Sequence, residues 1–151
     1  MNLQMEINSL KQRVAELEEL AKEEQEFPQV GDEYWFITDR GMIFDSEFKN
    51  KKSDRDSLEI GNIFQTKEQA EFAVEKLKVE AELRKFSRPF EPMRDNFFMV
   101  YDKYLESLEN NCSLKTDIQG VIYFGSREEI RQAAQSVGIE RIKKYIFGVE
   151  E

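Results

Sequence analysis

Residues 2–26 contain neither glycine nor proline, and six of their apolar side chains, Leu3, Ile7, Leu10, Val14, Leu17 and Ala21, fall at alternating intervals of four and three. That spacing puts all six on one stripe of a helix. With Leu3, Leu10 and Leu17 at heptad position d and Ile7, Val14 and Ala21 at a, the segment spans three heptads. Mostly β-branched residues at a and leucine at d favour a parallel two-stranded coiled coil. The sequence therefore predicts a helical arm over residues 1–27 and self-association through those six residues. A single amphipathic helix lying on the rest of the chain satisfies the same pattern.

Pro28 stops this helix, and Pro28-Gln-Val-Gly31 reads as a hinge, so a globular domain is expected over residues 32–151. Glu33 to Thr38 is a strand apolar on both faces, Asp39-Arg-Gly41 a tight turn, and Met42 to Phe48 the returning strand. Asn50 to Asp56, Asn-Lys-Lys-Ser-Asp-Arg-Asp, has no apolar periodicity and reads as an exposed mobile loop. A short strand is expected around Ile60 to Phe64. Thr66-Lys-Glu-Gln69 has the form of a capping box opening a helix to about Phe86.

That helix carries two apolar stripes, one of Ala70, Ala73, Val74, Leu77 and Ala81, the other of Phe72, Val79, Leu83 and Phe86. Both call for partners. Arg88-Pro-Phe-Glu-Pro92 ends it, and Asn96 to Tyr101 forms another doubly apolar strand. Tyr104 to Lys115 fits either a strand with a turn at Asn110-Asn111 or two turns of helix, and the strand suits the context better. Gly120 to Phe124 reads as a strand, and Ser126-Arg-Glu-Glu129 as a second capping box. Ile130, Ala133, Ala134 and Val137 then mark a helix capped by Gly138, and Ile139, Ile142 and Ile146 a last short one.

A shift of sixty residues aligns Phe64-Gln-Thr-Lys-Glu-Gln-Ala70 with Phe124-Gly-Ser-Arg-Glu-Glu-Ile130, and with a small change of register the upstream strands also correspond. Duplication and convergence both produce such a match. The expected fold is α+β: an antiparallel sheet with packed helices, a duplicated βββα unit with half-repeats at 32–87 and 94–148, and the coiled-coil-like arm.

Chemistry is narrowed by what is missing. There is no histidine and one cysteine, Cys112, among 151 residues, which removes Ser-His-Asp and Cys-His catalysis, His-ligated metals and intrachain disulfides. Each glycine stands alone, so no phosphate-binding loop is present. No enzymatic activity, cofactor or metal is expected. The net charge of −9 argues against duplex DNA as a direct partner. With no apolar run long enough to span a membrane and no leader pattern, a cytoplasmic, non-membrane protein is expected.

Several residues invite a functional reading beside a plainer one. Glu16, Glu18, Glu19, Glu23, Glu24 and Glu26 form an acidic run able to occupy a basic surface of a partner, although a solvated helix face explains it too. Trp35 with Tyr34 and Phe36 offers a stacking platform, or simply sheet core. Arg127, Arg131, Arg141, Lys143 and Lys144 concentrate positive charge, which also complements helix ends. Cys112 reads as a small half-buried apolar residue.

The stretches GDEYWFI, IGNIFQTKEQAEFAVEKLKVEAELRKF and GIERIKKYIFGVEE together resemble a family of small phage and prophage proteins of low-GC Gram-positive bacteria. The resemblance covers nearly the whole chain, and Phe64 to Glu71 is its most specific part. It implies a phage accessory protein in the host cytoplasm that binds and inhibits or redirects a host protein, an anti-CRISPR-like defence inhibitor among the options. The alternatives are a protein that sequesters a nucleotide signal and a structural or replication-associated phage component.

Overall fold

The computed structural model describes residues 2–23 and 26–150, with Glu23 described by its backbone alone. The fold is α+β and opens with a long helix. Two compact units follow one another along the chain, Met1–Lys67 and Glu68–Glu151.

In the first unit, α1 (Leu3–Glu23) precedes a hairpin of β1 (Glu33–Ile37) and β2 (Ile43–Glu47), paired antiparallel with Trp35 opposite Asp45. The expected turn is there. Gly41 takes φ 77°, the left-handed region that a residue without Cβ enters freely, and the Thr38 hydroxyl accepts the Met42 N–H at 3.1 Å. Tyr34 and Phe48 are the buried aromatics, with ring centres 6.3 Å apart.

Residues 50–56, expected as a mobile loop, instead lead into and form most of a helix, α2 (Lys52–Glu59). A buried carboxylate is the reason. Asp54 accepts the Tyr34 hydroxyl at 2.6 Å and the N–H groups of Lys49 and Lys51 at 3.0 Å each. It thereby satisfies donors at the start of the helix and sets a negative charge at the positive end of the helix dipole. Asn50 makes the entry turn with φ 57°, a conformation that asparagine tolerates better than most residues.

The strand expected at Ile60 to Phe64 shrinks to one residue. Trp35 and Phe64 exchange both backbone hydrogen bonds at 2.8 Å, and the side chain of Asn62 takes the place of the next peptide, bonding the Ile37 N–H at 2.8 Å and the Ile37 carbonyl at 2.7 Å.

In the second unit, α3 (Lys67–Arg84) starts directly after Thr66, one residue before the unit boundary. Both of its stripes contain buried residues, Ala70 and Val74 on one and Val79 and Leu83 on the other, while Leu77 and Phe72 stay exposed. β3 (Asn96–Asp102) and β4 (Ser107–Ser113) pair antiparallel.

The turn of this hairpin is not at Asn110-Asn111. It lies at 103–106, where Asp102 Oδ1 accepts the N–H groups of Tyr104 and Leu105 at 2.9 Å each, and the two asparagines pair with Met99 and Phe98 inside the strand. The strand expected at Gly120 to Phe124 is again one residue long, Phe124 pairing with Phe97 at 2.8 and 3.0 Å.

Then come α4 (Arg127–Val137) and α5 (Ile139–Tyr145), separated by Gly138 at φ 104°. Val79, Leu83, Phe124, Ile130, Ala133, Val137 and Ile142 form the core of this unit, so the second stripe of α3 meets the C-terminal segment.

Candidate interaction surface on the N-terminal helix

Asn2 caps α1, its Oδ1 accepting the Met5 N–H at 2.9 Å. From there to Glu23 no proline or glycine interrupts the helix. Leu3, Ile7, Leu10, Val14 and Leu17 are between 37 and 72% exposed, and Ala21 is exposed as well. All six residues of the predicted stripe share one face of α1, and the described residues do not bury it. The alternative of an amphipathic helix lying flat on its own chain therefore does not describe this stripe.

Heptad position g holds Leu20, also exposed, which widens the apolar face beside Leu17. The strict a/d pattern missed it; the signal was an apolar residue three after a d position. Of the other e and g positions on α1, Gln4 at e is neutral and the rest hold charge: Lys11 and Glu18 at e, Glu6 and Arg13 at g.

The acidic run is less concentrated than its sequence suggests. Glu16 pairs with Arg13 at 3.8 Å and Glu19 with Lys22 at 3.3 Å, both along the helix. At 100° per residue Glu16 and Glu19 are about 60° apart, whereas Glu18 is about 160° from Glu16 and flanks the apolar stripe. The side chains of Glu23 and Glu24 lie outside the described residues, and Glu26 is exposed beyond the helix.

Elsewhere the charged candidates have local partners. Arg127 stands over the Phe97 ring at 5.6 Å and Lys144 over Tyr145 at 5.3 Å. Lys143 pairs with Glu140 at 3.6 Å, and Arg131 contacts both oxygens of Glu128 at 2.6 and 2.7 Å. Arg141 holds Glu82 at 2.9 Å, keeping that carboxyl below its ordinary range. The five cations are thus engaged along their own helices or with neighbouring side chains.

Trp35 is half-buried beneath Lys67, whose Nζ is 5.9 Å from the ring centre. Cys112 is exposed rather than half-buried, because β4 is an edge strand that turns much of its surface to solvent.

A cavity of about 540 Å³ in the second unit lies within the range of small-molecule sites, roughly 300–1,000 Å³. Leu83, Ile122, Phe124, Ile142, Ile146 and Phe147 contribute its apolar walls. Phe124, however, is only 1% exposed, so it offers no open ring face on which a base could stack.

No helix among the described residues is long and apolar enough to cross a membrane. Comparison with protein-family models, curated proteins and solved structures finds no match.

Proposed function

We propose that this protein is a non-enzymatic binding protein, dimeric through α1, which in a phage context inhibits or redirects a host protein. The observation that carries the reading is the apolar stripe of α1, presented at full helix length and left uncovered by its own chain. Exposed apolar surface of that extent marks an interaction site. Its heptad spacing fits another helix rather than a sheet or a small molecule. The absence of histidine from the sequence supports binding over catalysis.

The test starts with light scattering of the full chain, which should give a dimer. Burying one leucine is worth roughly 1.5–3 kcal/mol, so Leu10→Glu with Leu17→Glu should give a folded monomer. Affinity capture from host lysate, read by mass spectrometry, should then return one protein with the wild type and much less of it with the double variant. A wild-type monomer overturns the dimer. A thermal shift with nucleotides and no captured protein would favour the signal-sequestering alternative instead.

A further inference from the structure

We infer that α1 pairs parallel and in register with α1 of a second copy, selected by two complementary charge pairs, Glu6 with the partner's Lys11 and Arg13 with the partner's Glu18. This rests on the dimer reading above and specifies its geometry. In a parallel two-stranded coil, a residue at g faces the residue five positions later, at e, on the other helix. Here both charged g positions meet an opposite charge. By symmetry the dimer holds four such pairs.

The same charges oppose the reverse orientation. An antiparallel coil that keeps the apolar layers filled sets Ile7 against Leu17 and Leu10 against Val14, and it brings e against e and g against g. Lys11 would then face the partner's Lys11, and Arg13 the partner's Arg13. Like charges placed together disfavour that arrangement.

The chain leaves these groups available. Glu6, Lys11 and Glu18 make no ion pair among the described residues, and Arg13 reaches Glu16 only at 3.8 Å, with 72 and 54% of the two side chains exposed. So open a contact is worth little and yields readily to an interhelical one. Glu18 accordingly belongs to the flank of the dimer seam and not to a free acidic surface.

Two full-length double variants test the pairing, and neither changes the net charge. One carries Glu6→Lys and Arg13→Glu, the other Lys11→Glu and Glu18→Lys. Each turns all four pairs repulsive, so each alone should self-associate roughly a hundredfold more weakly than the wild type, from the sum of four modest surface pairs. An equimolar mixture restores opposite charges everywhere and should form one-to-one dimers in sedimentation equilibrium. Recovery in the mixture also shows that both variants fold.

If each variant alone dimerises as well as the wild type, the parallel register is wrong while the dimer stands. Failure of the mixture to recover rejects the assigned pairs. A wild type that is monomeric removes both the register and the dimer reading beneath it.

Discussion

The two units build the same motif from different polar frames. In each, an antiparallel hairpin is bridged at one aromatic residue of its first strand by a phenylalanine, Trp35 by Phe64 and Phe97 by Phe124; three residues after that phenylalanine a helix begins, α3 at the last residue of the first unit and running on into the second, α4 within the second. The bridging phenylalanines are sixty residues apart and the residues they bridge, Trp35 and Phe97, sixty-two, which accounts for the change of register seen in the sequence.

Outside the hairpin and its bridge the units diverge. The first inserts α2 and fastens it with a buried charge, Asp54. The second fastens the segment before its hairpin with a buried neutral amide. Asn96, fully buried, accepts from Arg88 and the Glu91 N–H and donates to the carbonyls of Glu91, Arg94 and Ser113, all at 2.8–3.0 Å. The hairpin and bridge are set by backbone pairing and aromatic burial, which many sequences satisfy. Holding the segment that flanks the hairpin takes a specific polar residue, and each unit uses its own.

The sharpest test of this difference is Asn96→Ala. It takes the acceptor from the Glu91 N–H and the donor from the Arg94 and Ser113 carbonyls and loosens Arg88, which keeps the carbonyls of Pro89 and Asp95, a loss of roughly 3–4 kcal/mol. Amide exchange at Phe97 and Phe124 should accelerate strongly, while Trp35 and Phe64 keep their protection and Trp35 fluorescence keeps its unfolding midpoint. Equal acceleration at all four amides would show the units unfolding as one body, and the comparison would fail.

Acid separates the frames next. The Tyr34 hydroxyl first, then the Lys49 N–H, hold the Asp54 carboxyl below its ordinary value. A carboxyl depressed by folding contributes stability that is present above its unfolded pKa, about 3.9, and is lost as pH falls through the folded value. Asn96 does not titrate. Glu82 and Glu128 are also depressed, by Arg141 and Arg131, but more than a third of each side chain is exposed and solvent screens those pairs.

Below about pH 4, then, Trp35 fluorescence should report loss of the first unit before amide signals from Phe97 and Phe124 disappear. Tyr34→Phe removes the main cause of the depression, so the acid transition should move to higher pH, with a cost of about 1–3 kcal/mol at neutral pH. An unchanged acid midpoint in that variant would mean Asp54 is not the group that titrates.

These frames also mark where the sequence was legible. Long apolar periods and paired turn signals placed α1, β1, β2, α3, β3, α4 and α5, because in those elements burial of apolar side chains decides the structure. α2 left no such trace: its buried residue is Asp54, and a charged run with one buried carboxylate looks like a solvated loop until the tyrosine twenty residues upstream is brought alongside. The bridges at Phe64 and Phe124 read as longer strands because apolar residues precede them in the sequence, whereas only the two phenylalanines pair with the hairpins. On α1 the a/d stripe was plain in the sequence, whereas the value of Glu6, Lys11, Arg13 and Glu18 appears only when two helices are laid side by side.

The smallest expected effects lie at the point where the units match best, the start of the helix after each phenylalanine. Ser126 Oγ accepts the Glu129 N–H at 3.1 Å, and Glu129 reaches back to the Gly125 N–H at 2.8 Å, one residue earlier than a standard capping box. Ser126→Ala should cost about 1 kcal/mol, within the usual 0.5–2 for a lost cap, read as a shift in urea midpoint confined to the second unit.

Gly125 aligns with Gln65 of the first unit, so Gly125→Ala asks whether the glycine is required there. A Cβ at this position would sit 3.0 Å from Glu129 Oε2 and 3.2 Å from Arg88 Nε, both tips of flexible side chains that can move aside. The expected loss is below about 1 kcal/mol, the worth of one exposed hydrogen bond accepted by Glu129. A loss as large as that of Asn96→Ala would instead mean that Arg88 cannot shift without releasing Asn96, making Gly125 part of the same polar frame and the difference from Gln65 a consequence of it.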